Sequence, residues 1–132
     1  QPMKKIIIGL SLLLSVTATS FLLHMQNASE TVRHVVVFKY KEGTSKADIK
    51  KVTDSFRDLQ DKIPGIVSFE YGINNSPEGK DQGFSHVYLL TFESAEARDT
   101  YLPHPEHKKF GQLLGSLDVL KDVFVVDYHP MD

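Results

Sequence analysis

Cysteine is absent from all 132 residues. That absence excludes disulfides, thiolate catalysis, cysteine-based zinc sites and a lipoprotein anchor. A long basic block is also missing. Fifteen Lys and Arg are scattered among seventeen Asp and Glu, for a net charge of −2, so nucleic acid is not an expected ligand. There is no HExxH string, no internal repeat and no low-complexity tract. No motif calls for a cofactor, and the length allows about one domain.

Only one long apolar run exists, and it comes first. "MKKIIIGLSLLLSVTATSFLL" opens with Lys4 and Lys5, continues apolar from Ile6 to Leu23, and contains the small residues Ala18-Thr19-Ser20. A basic start, an apolar middle and a small-residue exit describe a secretory signal peptide. The alternative is an uncleaved anchor, since the run just reaches membrane-spanning length. Either way the domain is expected outside the cytoplasm, secreted or periplasmic, with membrane contact only if the leader is retained. Residues 24–30 read as a polar linker. Residues 1–30 are therefore leader and linker, and residues 31–132 form the folded domain.

Within that domain "VRHVVVFKY" (32–40) reads as a strand, with His34, Val36, Phe38 and Tyr40 on one face. Ser45 caps a helix over 46–62, whose apolar stripe is Ile49, Val52, Phe56, Leu59 and Ile63. Pro64-Gly65 stops it. A second strand over 66–74 places Val67, Phe69, Tyr71 and Ile73 against Ser68, Glu70 and Gly72. A third strand covers 84–93, with His86 and Tyr88 on one side. A short helix follows Ser94 to about 102 and is broken by Pro103 and Pro105. A further helix spans 105–117, and a fourth strand 122–130.

The order is βαββαβ with a divided second helix. That order gives an α+β, ferredoxin-like fold with a four-stranded antiparallel sheet and both helices on one face. Every strand carries apolar residues on both sides, so the uncovered face should not stay in water. Two copies packed sheet to sheet, a homodimer, would cover it. A domain of about a hundred residues also buries a modest share of its surface alone.

"RHVVVFKYKEGTS", "IPGIVSFEYGINNSPEGKDQGFSHVYLLTFES", "YLPHPEHKKFG" and "VFVVDYHP" together resemble the stress-responsive α/β-barrel (Dabb) domain family. The likeness runs over about residues 31–130. It implies a ferredoxin-like fold that pairs through its sheets into a dimeric α/β barrel. Most bacterial members have no assigned reaction, but one plant branch is a polyketide cyclase. The positions that match its catalytic residues are Tyr101 and His107, with Asp127 as the carboxylate supporting the histidine. His34, His86 and His104 match positions in or near the ligand pocket. Thr53 and Asp118 depart from the bulky aromatics of the plant pocket, and the leader is a second departure.

The physical chemistry of "YLPHPEHKKF" is consistent with several uses. His104 falls at a helix N-cap, Pro105 at the first helical position, and His107 in the first turn, where the helix dipole disfavours imidazolium. A neutral imidazole held by a carboxylate can act as a general base, and Tyr101 could donate to a developing enolate oxygen. Equally, a histidine at a helix start can simply fix a loop, and His34 and His86 can be core or interface residues. A metal site would need His104 and His107 to converge with His34, His86 or Asp127. His129 reads as a surface residue. The expectation is a small-molecule binding module of unassigned activity. The alternative is a lyase or cyclase acting on a carbonyl substrate, and a cavity beside His107 and Tyr101 distinguishes the two.

Overall fold

The structure, a computed structural model, describes residues 30–131. The leader and anchor expectations for residues 1–29 lie outside the described residues. Along the described chain the elements are β1 (Val32–Tyr40), α1 (Lys46–Lys62), β2 (Ile66–Ile73), β3 (His86–Phe92), α2 (Ala95–Tyr101), α3 (Pro105–Leu117) and β4 (Leu120–Tyr128). The strands form one antiparallel sheet in the order β2-β3-β1-β4. This is the ferredoxin-like arrangement with a divided second helix.

Local chemistry sets the boundaries. Ser45 caps α1 by accepting from the Asp48 amide at 3.0 Å, and its own hydroxyl donates to the Asp48 carboxylate. After Pro64, Gly65 turns the chain at φ +92°, where a Cβ would stand 2.7 Å from the Ala97 Cβ. Only glycine fits that close approach between the β2 entry and α2. β3 begins at His86 rather than Phe84, because the Phe84 amide closes a turn onto the Asp81 carbonyl. β4 begins at Leu120, opposite Tyr40 across a bulge, and so starts earlier than its Val-rich run suggests. A second bulge between Ile66 and Ser68 turns Val67 away from its expected face, while Phe69 and Tyr71 keep theirs against the core. Ile66 is buried there, while Val67 is exposed.

The core lies between the helices and one face of the sheet. Val36, Phe38, Tyr88, Leu90 and Phe92 from the strands meet Val52, Phe56 and Leu59 of α1 and Phe110 of α3. Phe56 and Phe110 join the helices with ring centroids 4.6 Å apart. Among the described residues no helix covers the opposite face. Cross-strand register aligns Leu89, Val35 and Val126 in one row and Val87, Val37 and Phe124 in the next. Phe124 is 51% exposed and Val126 43%. The apolar second face expected from the sequence is therefore present.

Candidate functional site

α2 ends where Pro103 interrupts it, and α3 restarts at once. His104 caps α3 by accepting from the Glu106 amide on Nδ1 at 3.1 Å, and Pro105 takes the first helical position. Its Nδ1 is therefore an acceptor, and His104 does not line the cavity described next. His107, one turn on, reaches back to the Leu102 carbonyl at 2.9 Å through Nδ1. A carbonyl can only accept, so Nδ1 carries the proton and Nε2 keeps a lone pair in the neutral ring. This bond fixes both the ring and the junction of the two helices.

Tyr101 is fully buried at the end of α2. Its ring lies between Phe92 at 4.9 Å, His107 at 4.3 Å and His34 at 5.9 Å, measured between centroids. Its hydroxyl is buried and has no hydrogen-bond partner among the described residues. Burial pushes the phenol pKa well above its usual value, so the group is a neutral donor. Tyr101, His107 and His34 all line a cavity of about 240 Å³ between α3 and the inner face of β1 and β4. Val36, Phe110, Val123 and Val125 make its walls apolar.

Asp127 does not support His107, as the family pattern implied. Its Oδ1 lies 2.6 Å from the Nδ1 of His34, directly opposite on β1, and its Oδ2 accepts from Arg98 at 2.6 Å. Burial alone would raise the carboxyl pKa, but the hydrogen bonds from Arg98 and His34 outweigh it and leave it lowered. His34 is buried, and Asp127 fixes its ring. Arg98 was not foreseen. It stands three residues before Tyr101, on the same side of α2, so its place beside the site was signalled only by helical spacing.

His86 sits elsewhere. It lines a different cavity with Thr53 and Tyr71, and it stacks on Tyr71. Between the two cavities stands Tyr88, fully buried. Its ring lies parallel to Phe56, which lines the first cavity, and to Tyr71, which lines the second, each at 5.1 Å. The Tyr88 hydroxyl is bound by Tyr40 at 2.9 Å and Thr53 at 3.0 Å. Asp118 ends α3 in the left-handed region at φ 51° and pairs with Lys41 at the surface. His129 is exposed, with Nδ1 3.2 Å from the Thr31 carbonyl. Among the described residues no three His, Asp or Glu side chains converge as a metal-ligand set, and Asp127 is already engaged by Arg98 and His34.

Residues 32–130 match the family profile of the stress responsive A/B barrel domain. The chain belongs to that family. Among relatives of this Dabb domain, the stress-response A/B barrel domain-containing protein HS1 of Arabidopsis thaliana is 36% identical over 107 residues, 80% of this chain and 95% of its own. The olivetolic acid cyclase of Cannabis sativa is 28% identical over 99 residues, 75% of this chain and 96% of its own. A solved Bacteroides fragilis protein of ferredoxin-like fold, described as dimeric, is 26% identical with a TM-score of 0.58. That match covers 76% of this chain and 96% of the other.

Proposed function

We propose that this Dabb domain binds a small carbonyl compound in the cavity between α3 and β1, and removes a proton from the carbon beside the carbonyl. The observation that carries this reading is Tyr101, whose side chain lines a cavity together with two imidazoles and whose buried hydroxyl has no hydrogen-bond partner among the described residues. An unpaired buried hydroxyl costs roughly 1–3 kcal/mol. A bound carbonyl oxygen would remove that cost.

His107 is the assigned base, because its Nδ1–H is committed to Leu102 and its Nε2 is left as the acceptor. His34 is the weaker candidate, because Arg98 already balances the Asp127 charge that would stabilise an imidazolium there. In the step, Nε2 takes the proton from the α-carbon. The C–H electron pair forms the enolate double bond, the carbonyl pair moves onto oxygen, and Tyr101 donates to that oxygen. If the substrate carries a second carbonyl, the enolate carbon attacks it and the new alkoxide recovers the proton from His107. The named cyclase among the relatives supports such ring closure. A volume near 240 Å³ favours a compact substrate.

The test is proton–deuteron exchange at C2 of ethyl 2-methylacetoacetate, the carbon between its two carbonyls, followed by NMR. Exchange above buffer that drops in Tyr101→Phe supports the reading. Exchange unaffected by that change rejects it. Binding without turnover is the second reading, favoured by the mostly apolar cavity wall. It predicts saturable binding of the same ester with exchange at the buffer rate.

The reading includes a homodimer through the bare sheet face, supported by the aligned apolar rows on it and by the dimeric description of the B. fragilis relative. It also includes delivery outside the cytoplasm, supported by the leader pattern at residues 3–23. Fusion of residues 1–30 to a reporter that lacks its own signal tests the second point, and a reporter kept inside the cell rejects it.

A further inference from the structure

A second cavity among the described residues is larger than the one beside Tyr101. It encloses about 450 Å³ between α1 and the β2–β3 edge, on the far side of Tyr88. Its wall is apolar and flat. Ile49 comes from α1 and Ile73 from β2, and the rings of Tyr71 and His86 lie within 21° of parallel. Burial lowers the His86 pKa, so the imidazole face adds a neutral surface rather than a charge. Ile73 is 62% exposed although its register places it on the helix side of the sheet, opposite His86. Among the described residues no side chain covers this stretch of the inner face.

The rim has a different chemistry. Lys46, Lys50 and Arg57 stand around it with one carboxylate, Asp54. Lys50 and Arg57 both pair with Asp54, and among the described residues Lys46 has no ion-pair partner. The mouth therefore carries an excess of positive charge over an aromatic and aliphatic pocket. Planar walls favour a planar ligand by stacking, and uncompensated cations favour an anion.

We propose that this cavity is a second ligand site that takes a small aromatic anion, its ring against Tyr71 and Ile73 and its carboxylate or sulfonate at Lys46. The site is separate from the first cavity, because the Phe56–Tyr88–Tyr71 stack closes the way between them. It does not depend on the reaction assigned to His107.

The test is a titration of the full chain with 2-naphthoate, read by amide shifts in a two-dimensional NMR spectrum, with 2-naphthamide as the uncharged comparator. Saturable shifts centred on Ile49, Thr53, Tyr71, Ile73 and His86 are expected. The amide should bind about two- to fivefold more weakly, the size expected of a partly exposed ion pair, and Lys46→Glu should weaken the naphthoate by at least as much. Ile49→Trp, which fills the pocket, should abolish the shifts, while His107→Ala should leave them in place. Lys46 is on the surface, so its variant stays informative if Ile49→Trp does not fold. Equal binding of acid and amide overturns the proposal. So do shifts centred on His34 and Tyr101, shifts centred on the outer rows of Val35 and Phe124, or no saturation at millimolar naphthoate.

Discussion

His34 and Asp127 face one another across β1 and β4, with the imidazole Nδ1 2.6 Å from the carboxylate Oδ1. Asp127 also receives Arg98 from α2, so one carboxylate ties the inner sheet to the helix that carries Tyr101. Asp127→Asn is expected to destabilise the fold by about 1.5–3 kcal/mol at neutral pH, the range for hydrogen bonds to a charged group. The pH dependence has a definite sign. The folded carboxyl pKa lies below its unfolded value, which is near about 3.9. Its stabilisation is therefore fully present above that value and is lost as pH falls through the folded one. Urea unfolding at stepped pH should show the gap between wild type and Asp127→Asn constant from neutral pH and closing below about pH 4.

Tyr101→Phe separates chemistry from stability. Its hydroxyl has no partner among the described residues, so its removal should leave the melting temperature unchanged or slightly raised. Enolate formation should fall by about a hundredfold, as when one donor to a developing oxyanion is removed. A clear drop in melting temperature would show that the hydroxyl serves the fold instead.

Tyr88→Phe should behave in the opposite way. Its hydroxyl holds those of Tyr40 and Thr53, and the change strands both. A loss of about 1–3 kcal/mol in denaturant unfolding is expected. Exchange chemistry beside Tyr101 should be little altered, because the aromatic stack that divides the cavities survives.

Charge on the outer face should separate the copies. Phe124→Asp places a carboxylate beside Val37 and Val126 on the β4 side of the bare surface. Light scattering should report a dimer for wild type and a monomer for the variant, with the far-ultraviolet spectrum retained. A monomeric wild type would contradict pairing through this face.

Much of the fold was legible because period and punctuation agree. The alternation of "VRHVVVFKY", the Ser45 cap and the Pro103–Pro105 break each specify an element on their own. Alternation could not reveal the bulge at Ile66–Ser68, which depends on how β2 pairs with β3 and so puts Val67 outward. At the site, the family likeness paired Tyr101 with His107, and their rings do meet at the junction of the two helices. The partner of Asp127 was within reach of the topology. A ferredoxin-like sheet sets β4 beside β1, and antiparallel pairing puts the end of one opposite the start of the other. Family likeness pointed instead to His107. Splitting His34 from His86 required the stacking of Tyr88 on Phe56 and Tyr71, which depends on packing across three elements.

The central claim is that His107 accepts a proton from a carbon beside a bound carbonyl while Tyr101 holds the oxygen. The most direct measurement is the α-deuteration rate of ethyl 2-methylacetoacetate at neutral pH for wild type, His107→Ala and His34→Ala, each confirmed as folded. The account predicts exchange above buffer for wild type, a loss of about a hundredfold or more in His107→Ala, as for a general base, and a smaller loss in His34→Ala. Equal rates for wild type and His107→Ala, or a wild-type rate no faster than buffer, would contradict it.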